Sequence, residues 1–296
     1  MGLYGAIEAG GTKFICGLGT GPQDLRTVTI PTTSPARTIE RTIEFFRSAE
    51  SQITTVGIGS FGPVDLRHGS PAWGHITSTP KSGWQNTDVA GTLGRALQVP
   101  IAFDTDVNAA ALGEWRWGAA QGLESCVYIT VGTGIGGGAI VAGKPLHGML
   151  HPEIGHIRIP HDGLQDPFPG NCPFHGDCLE GLAAGPALEA RWGIRAEELP
   201  ASHEAWPLEA RYLALAVANL VLTLSPERII LGGGVMHQEF LFPMIRAELK
   251  TILGGYLQSE RVSALDSYLV PPGLGDRAGV LGALALAMDR CSEPER

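Results

Sequence analysis

The stretch YGAIEAGGTKFICGLG, residues 4–19, has the pattern of two strands joined by a Gly-Gly-Thr turn, because apolar residues typical of strands flank the turn on both sides. A second stretch, SCVYITVGTGIGGGAIVAG at residues 125–143, has the same form. This similarity predicts an internal duplication, in which each of two domains begins with a β-hairpin whose tip is rich in glycine and threonine.

The tips of these two hairpins are candidate phosphate-binding sites. Successive backbone N–H groups without side chains, together with a threonine hydroxyl, can surround a phosphate without steric interference. The alternative is that the glycines serve tight turns that need a positive φ. Gly132, Gly134 and Gly137 have Rossmann spacing, but a strand rather than a helix is predicted after them, and Lys13 is wrongly spaced for a P-loop. Neither of those nucleotide motifs therefore applies.

Composition indicates a globular protein of two domains, since the chain has 296 residues and is 44% hydrophobic. The net charge is −9 and no segment carries a cluster of Lys or Arg, so we expect small-molecule partners rather than nucleic acid or a membrane surface. No basic n-region precedes an apolar segment at the N-terminus, and no long apolar run follows, which favours a cytoplasmic protein.

A strand followed by a helix is predicted in VPIAFDTDVNAAALGEWRWG, residues 99–118. Asp104, Asp106 and Asn108 therefore lie at the carboxyl end of a strand, where open α/β sheets bind their ligands. Asp106 is the candidate general base, because a sugar hydroxyl that attacks a γ-phosphoryl group needs a carboxylate to accept its proton. Helix N-capping is the alternative role for Asp104 and Asn108.

Histidine and cysteine are concentrated in residues 151–181. Their spacing supplies four ligands for a closed, tetrahedral structural Zn²⁺ site, namely His156, Cys172, His175 and Cys178. The alternatives are reduced surface cysteines, a disulfide, or substitution of a ligand by His151 or His161. We interpret the isolated cysteines as packing residues: Cys16, Cys126 and Cys291.

Eight motifs, in order along nearly the whole chain, resemble those of the ROK family of sugar kinases and repressors, and in particular its fructokinase branch. They are EAGGTK (8–13), GSFGPV (59–64), TPKSGW (79–84), DTDVNAAALGE (104–114), VGTGIGGG (131–138), HPEIGH (151–156), CPFHGDCLEG (172–181) and LGGGV (231–235). The resemblance implies an α/β protein with the actin/hexokinase-like duplicated RNase H fold, with two domains, an interdomain cleft that holds ATP, and a zinc-binding loop.

The resemblance also assigns site residues. Asp106 corresponds to the general base of an ATP:hexose 6-phosphotransferase, and Mg²⁺ accompanies the nucleotide. The hexose would be contacted by Glu153, His156, Glu180 and Thr105, the last standing where many members have asparagine. The ATP contacts would be Gly10, Gly11, Thr12, Lys13, Thr133, Gly134, Gly233 and Gly234. Glycine in LGGGV can equally serve a turn between a strand and a helix.

Departures from the commoner family pattern narrow the expected substrate. The loop sequence C-P-F-H-G-D-C resembles the fructokinase branch, which makes fructose the first expectation and glucose the second. Because the first hairpin starts at residue 4, we do not expect the DNA-reading domain that ROK repressors carry before it. A zinc hydrolase would need a motif such as H-E-x-x-H, which does not occur, and a sugar sensor without catalysis would not need Asp106.

The C-terminal stretch GLGDRAGVLGALALAMDR, residues 273–290, resembles a helix with small residues at four-residue intervals, which suits close packing. Family architecture would return this helix to the first domain. We therefore predict one domain at 1–118 plus 276–296 and another at 119–275, and the family also implies a homodimer.

Overall fold

The structure is a computed structural model that describes residues 2–292 and divides them into two compact units. The first unit comprises residues 2–122, 144–152 and 276–292, and the second comprises residues 123–143 and 153–275. Segment 144–152 thus belongs to the first unit, although the sequence prediction included it in the second domain. The physical reason is that two of its histidines bond to groups of the first unit.

A five-stranded mixed sheet forms the centre of the first unit. The elements are β1 (Leu3–Ala9), β2 (Lys13–Gly19), β3 (Arg26–Pro31), α1 (Pro35–Arg47), β4 (Ile53–Ser60), β5 (His75–Ile76), β6 (Thr87–Asp88), α2 (Val89–Leu97), β7 (Ile101–Thr105) and α3 (Asp106–Trp117). The strand order is β3-β2-β1-β4-β7, with β1 antiparallel to β2 and parallel to β4, and with β4 parallel to β7. The predicted strand and helix around Asp106 are β7 and α3.

The second unit repeats this arrangement. Its elements are β8 (Cys126–Val131), β9 (Ile135–Val141), α4 (Leu179–Ala183), α5 (Gly185–Trp192), α6 (Ala205–Leu224), β11 (Ile229–Gly232), α7 (Leu241–Leu253), α8 (Glu260–Ser263), α9 (Leu265–Tyr268) and β12 (Leu269–Val270). The short strand β10 (Lys144–Pro145) follows β9 along the chain but belongs to the first unit. The strands pair in the order β9-β8-β11-β12, and β8 is antiparallel to β9 and parallel to β11. Two sheets that each combine a hairpin with parallel strands confirm the predicted duplication.

The last helix, α10 (Ala278–Ser292), packs against α3 and β4 in the first unit. A Cβ on Gly282 would overlap the carbonyl oxygen of Ala109, and a Cβ on Gly57 would overlap that of Ala283. Small residues thus permit close approach of the backbones. Cys291 is exposed, so its interpretation as a packing residue is wrong, because the end of the helix leaves it at the surface. Cys16 and Cys126 are buried.

Helix α6 has the length and mean hydropathy of a membrane span, with 20 residues and a value of 1.3. However, 56% of its most apolar window is buried inside the protein, and it packs along α7. These contacts are typical of a core helix, which is apolar on most sides because protein surrounds it.

Candidate active site

The first hairpin tip lies between β1 and β2. The N–H of Gly10 donates to the carbonyl of Lys13 at 2.9 Å, and the Thr32 hydroxyl donates to the Gly10 carbonyl at 2.8 Å. Gly11 has no positive φ, and a Cβ placed on it would be 4.0 Å from its nearest neighbour, Lys81 Cδ. Neither turn conformation nor packing therefore requires glycine at position 11. Open backbone of this kind can approach a ligand closely.

The second hairpin tip has a similar surface. A Cβ on Gly132 would come no closer than 3.9 Å to another atom, the backbone nitrogen of Gly234, and Gly234 itself faces open space. A cavity of about 470 Å³ lies here, and its lining includes Gly132, Thr133, Gly185, Glu189 and Gly234. Gly233 differs, since its φ is +92° and a Cβ would meet the Val131 backbone, so the fold alone accounts for that glycine.

Asp106 is the first residue of α3 and is partly exposed. Its Oδ1 accepts the N–H of Val107 at 2.9 Å. The N-cap is Thr105, whose hydroxyl oxygen accepts the N–H of Asn108 at 3.1 Å. The capping role considered for Asp104 and Asn108 is therefore wrong, because those side chains bond to each other at 2.8 Å instead. Thr105 is buried, and capping accounts for its position without a ligand.

Glu8, near the end of β1, is an acidic group that sequence reasoning did not single out. Burial raises its pKa to about 7, the Asp106 charge adds to the rise, and Lys13 opposes it. Its carboxylate also accepts the Val280 N–H at the start of α10, while Oε2 is buried without a hydrogen-bond partner. The signal was present in the motif EAGGTK, but no spacing rule indicates that a helix from the other end of the chain packs there.

The predicted metal ligands come together in the second unit. His156, Cys172, His175 and Cys178 each place one ligand atom within 4.8 Å of the other three. His156 Nδ1 lies 3.5 Å from Cys178 Sγ and 3.8 Å from Cys172 Sγ, and Cys172 Sγ lies 3.6 Å from His175 Nδ1. Bonds of about 2.0–2.3 Å to a central Zn²⁺ give tetrahedron edges of about 3.3–3.8 Å, so these donors fit zinc.

Neither alternative histidine joins this cluster. His151 Nε2 accepts the N–H of Val64 at 3.1 Å, and His161 Nε2 lies 3.0 Å from the carbonyl oxygen of Asp166. Cys172 and Cys178 are free thiols rather than a disulfide, and both are buried. The remaining interpretation of the loop is the four-ligand site.

Two of the predicted hexose-contacting side chains lie beside the metal cluster. His156 directs Nδ1 toward the cysteines, while its Nε2 is 4.0 Å from Glu180 Oε1. Glu180 Oε2 accepts the Ile135 N–H at 2.9 Å, which ties this carboxylate to the second hairpin. Glu153 precedes the short 3₁₀ helix that ends at His156, and it is exposed. The loop, the hairpin and both carboxylates thus belong to one region of the second unit.

Lys81 and His147 are further residues that sequence reasoning missed. Lys81 lies in the quoted motif TPKSGW and places its side chain beside Gly11. His147 Nε2 is 2.8 Å from Asp104 Oδ2. Isolated basic residues in loops carry no spacing signal, so only the folded chain identifies their neighbours.

Comparison with known proteins defines the class to which this fold and site belong. Residues 4–290 match the model of the ROK family, and the chain belongs to this family. It is 46% identical over 294 residues to a fructokinase of Zymomonas mobilis subsp. mobilis, with 97% of this chain and 96% of that protein covered.

Solved structures agree with this membership. The ROK hexokinase from Thermus thermophilus is 30% identical with a TM-score of 0.82, covering 99% of this chain and 100% of that one. A ROK family glucokinase from Streptomyces griseus, solved in complex with glucose and AMPPNP, is 26% identical with a TM-score of 0.77, covering 97% and 100%. The predicted actin/hexokinase-like fold is confirmed.

Proposed function

We propose that the protein is an ATP-dependent hexose kinase that converts fructose to fructose 6-phosphate. The observation that carries this proposal is the Asp106 carboxylate at the start of α3, in a chain 46% identical over nearly its full length to a fructokinase. The glycine tips support a nucleotide as the second substrate, because a Cβ on Gly11 or Gly132 would have no neighbour closer than 3.9 Å, which leaves backbone open to a ligand.

In the proposed reaction, the Asp106 carboxylate accepts the proton of the hexose 6-hydroxyl as its oxygen attacks the γ-phosphorus of ATP. The bond between that phosphorus and its bridging oxygen to the β-phosphate breaks, and ADP leaves. The tips contribute Gly10, Gly11, Thr12 and Lys13 from one hairpin and Thr133 and Gly134 from the other. Gly233 and Gly234 lie beside the adenosine.

Carboxylates near the first hairpin suit Mg²⁺, which prefers oxygen ligands. Glu8 has a buried oxygen without a hydrogen-bond partner, and the charges of Asp106 and Asp276 both act on it. We assign Glu8 and Asp276 as the residues that would hold Mg²⁺ with the nucleotide. When bound, the ion neutralises negative charge on the phosphates.

In the second unit, Zn²⁺ would be structural, held by His156, Cys172, His175 and Cys178. With the metal on Nδ1, the His156 ring keeps Nε2 for a hexose hydroxyl, and coordination fixes the ring orientation. Glu153 and Glu180 accept further hydroxyl hydrogen bonds, and Thr105 is the remaining proposed contact. The cluster distances support this assignment.

Measurement of ATP consumption with fructose, glucose, mannose and amino sugars tests the function. We expect the highest kcat/KM for fructose. A higher kcat/KM for glucose would make the protein a glucokinase, and sugar binding without ADP formation would make it a sensor. The proposal includes a cytoplasmic location and a homodimer, and analytical ultracentrifugation can test the homodimer.

A further inference from the structure

Segment 144–152 is held to the first unit by two histidines that bond in opposite ways. His147 Nε2 donates to Asp104 Oδ2 at 2.8 Å, whereas His151 Nε2 accepts the N–H of Val64 at 3.1 Å. His147 is partly exposed, with 44% of its side chain accessible, while His151 is buried. The segment is therefore attached at one partly accessible point and one buried point.

Asp104 connects this segment to the helix that begins with the general base. Its side chain is 4% exposed, and its Oδ1 accepts the N–H of Thr105 at 2.7 Å and the Asn108 amide at 2.8 Å. Thr105 and Asn108 are also joined by the N-cap hydrogen bond. Asp104 thus constrains both sides of Asp106 at the first turn of α3.

The buried carboxylate of Asp104 is stabilised by a basic partner, His147. A buried carboxylate is costly without a partner, and a second carboxylate, Asp106, lies two residues further on. The hydrogen bond to Asp104 raises the pKa of His147, which favours the charged form of its ring. Burial lowers the pKa of His151, which keeps that ring a neutral acceptor although the charges of Asp104 and Asp106 act on it.

We propose that His147 is a positioning residue for phosphoryl transfer: by pairing with Asp104, it fixes the first turn of α3 and thereby the orientation of the Asp106 carboxylate. This inference rests on the proposed kinase function. His147 acts through Asp104 and does not bind the hexose, so its loss affects the chemical step rather than hexose affinity.

Kinetics of His147→Ala and His147→Gln test this role. For His147→Ala we expect kcat to fall about tenfold or more while the fructose KM stays within about threefold, because an interaction that serves the transition state is lost. His147→Gln keeps an N–H donor and should recover most of kcat. A raised KM with unchanged kcat, or no recovery in His147→Gln, would overturn the proposal. The control is His68→Gln, an exposed histidine of the same unit, for which we expect wild-type kinetics.

A double-mutant cycle with Asp104→Asn separates the pair from independent effects. If the two side chains act together, the double variant loses no more kcat than the more damaged single variant. Multiplicative losses would contradict the pairing. Circular dichroism and thermal melts identify variants that do not fold, and because His147 is partly exposed, its variants keep the proposal testable if Asp104→Asn unfolds.

Histidine NMR of the wild-type protein provides a readout that does not depend on activity. The pKa of His147 should lie above the ordinary histidine value in these spectra. A His147 pKa at or below that value would overturn the pairing even in an active kinase. Conversely, wild-type protein that forms no ADP with any hexose would contradict the proposed function, whatever the His147 titration shows.

Discussion

The two hairpins have the same form but carry different chemistry. In each, a glycine-rich tip connects an inner strand, β1 or β8, to its antiparallel neighbour. The penultimate residue of the inner strand is Glu8 in the first unit and Thr130 in the second. The first hairpin therefore carries a buried carboxyl group at a place where the second carries a neutral hydroxyl.

Elements from later in the sequence pack near each tip and increase this difference. The first tip lies near the start of α10, where the Val280 N–H binds Glu8, and near the Asp106 charge. At the second tip, the Ile135 N–H donates to Glu180, which follows the last of the four predicted metal ligands by two residues. Duplication thus produces two similar backbone surfaces, and in the proposed kinase the neighbouring elements would give one to proton and cation chemistry and the other to hexose binding. Four predictions test this division.

The largest expected effect is in the first unit. Asp106→Asn should lower kcat by about 10²–10⁴-fold, since general-base loss has costs of that size, while the KM values for ATP and hexose change little. Steady-state kinetics and ATP titration measure both quantities. A variant that retains a third of the wild-type kcat would remove Asp106 from this role.

Disruption of the predicted zinc site should have the opposite effect, because it should change the hexose KM rather than kcat. Cys178→Ser, or treatment with a chelator, should raise the hexose KM by more than about tenfold, because His156 and Glu180 lose their fixed positions together. ATP affinity should change little in the folded protein. Elemental analysis must accompany the kinetics: absence of zinc from purified protein, or an unchanged hexose KM after metal removal, would show that the loop does not order the hexose site.

Alanine at one glycine of each tip should separate the two hairpins. Gly11→Ala meets no atom closer than 4.0 Å, so we expect only the ATP KM to rise, by about tenfold. Gly134→Ala would place Cβ 2.6 Å from Glu180 Oε2, so the hexose KM should rise as well. Gly21→Ala, where the added Cβ faces open space, is the control. Unchanged ATP affinity in both tip variants would make the tips purely structural.

The smallest effect concerns stability. The pKa of Glu8 is raised from 4.5 to about 7, so between these values the folded protein holds a proton that the unfolded chain has lost. The free energy of unfolding must therefore fall as pH rises through this window, by at most about 3 kcal/mol. The melting temperature should fall with pH over the same window. Glu8→Gln should reduce this fall, whereas Glu40→Gln, at an exposed position, should not.

Mg²⁺ sharpens the Glu8 test. At pH 8 the ion should raise the melting temperature of the wild-type protein and of Glu40→Gln, because a bound cation compensates the negative charge of the buried carboxylate. The increase should be smaller for Glu8→Gln, which lacks that carboxylate. An equal response in all three proteins would contradict a role for Glu8 in holding the cation. A pH dependence in Glu8→Gln that matches wild type would contradict the raised pKa.

Local sequence determined the features that depend on short-range pattern. Apolar, strand-type residues on both sides of glycine-rich turns predicted both hairpins, and the spacing of His156, Cys172, His175 and Cys178 predicted the ligand cluster. The strand and helix around Asp106 were equally evident. Each of these depends on backbone conformation or on side chains held within one loop, so nearby residues contain the necessary information.

Tertiary structure alone decided which distant groups meet. His147 pairs with Asp104 across 43 positions of the chain, and Glu8 binds the start of α10 from the opposite end of the sequence. The N-cap of α3 is Thr105 rather than one of the two residues considered from the sequence, because Asp104 and Asn108 bond to each other. Burial, charge pairing and pKa values depend on which elements pack together, and an isolated segment does not carry that information.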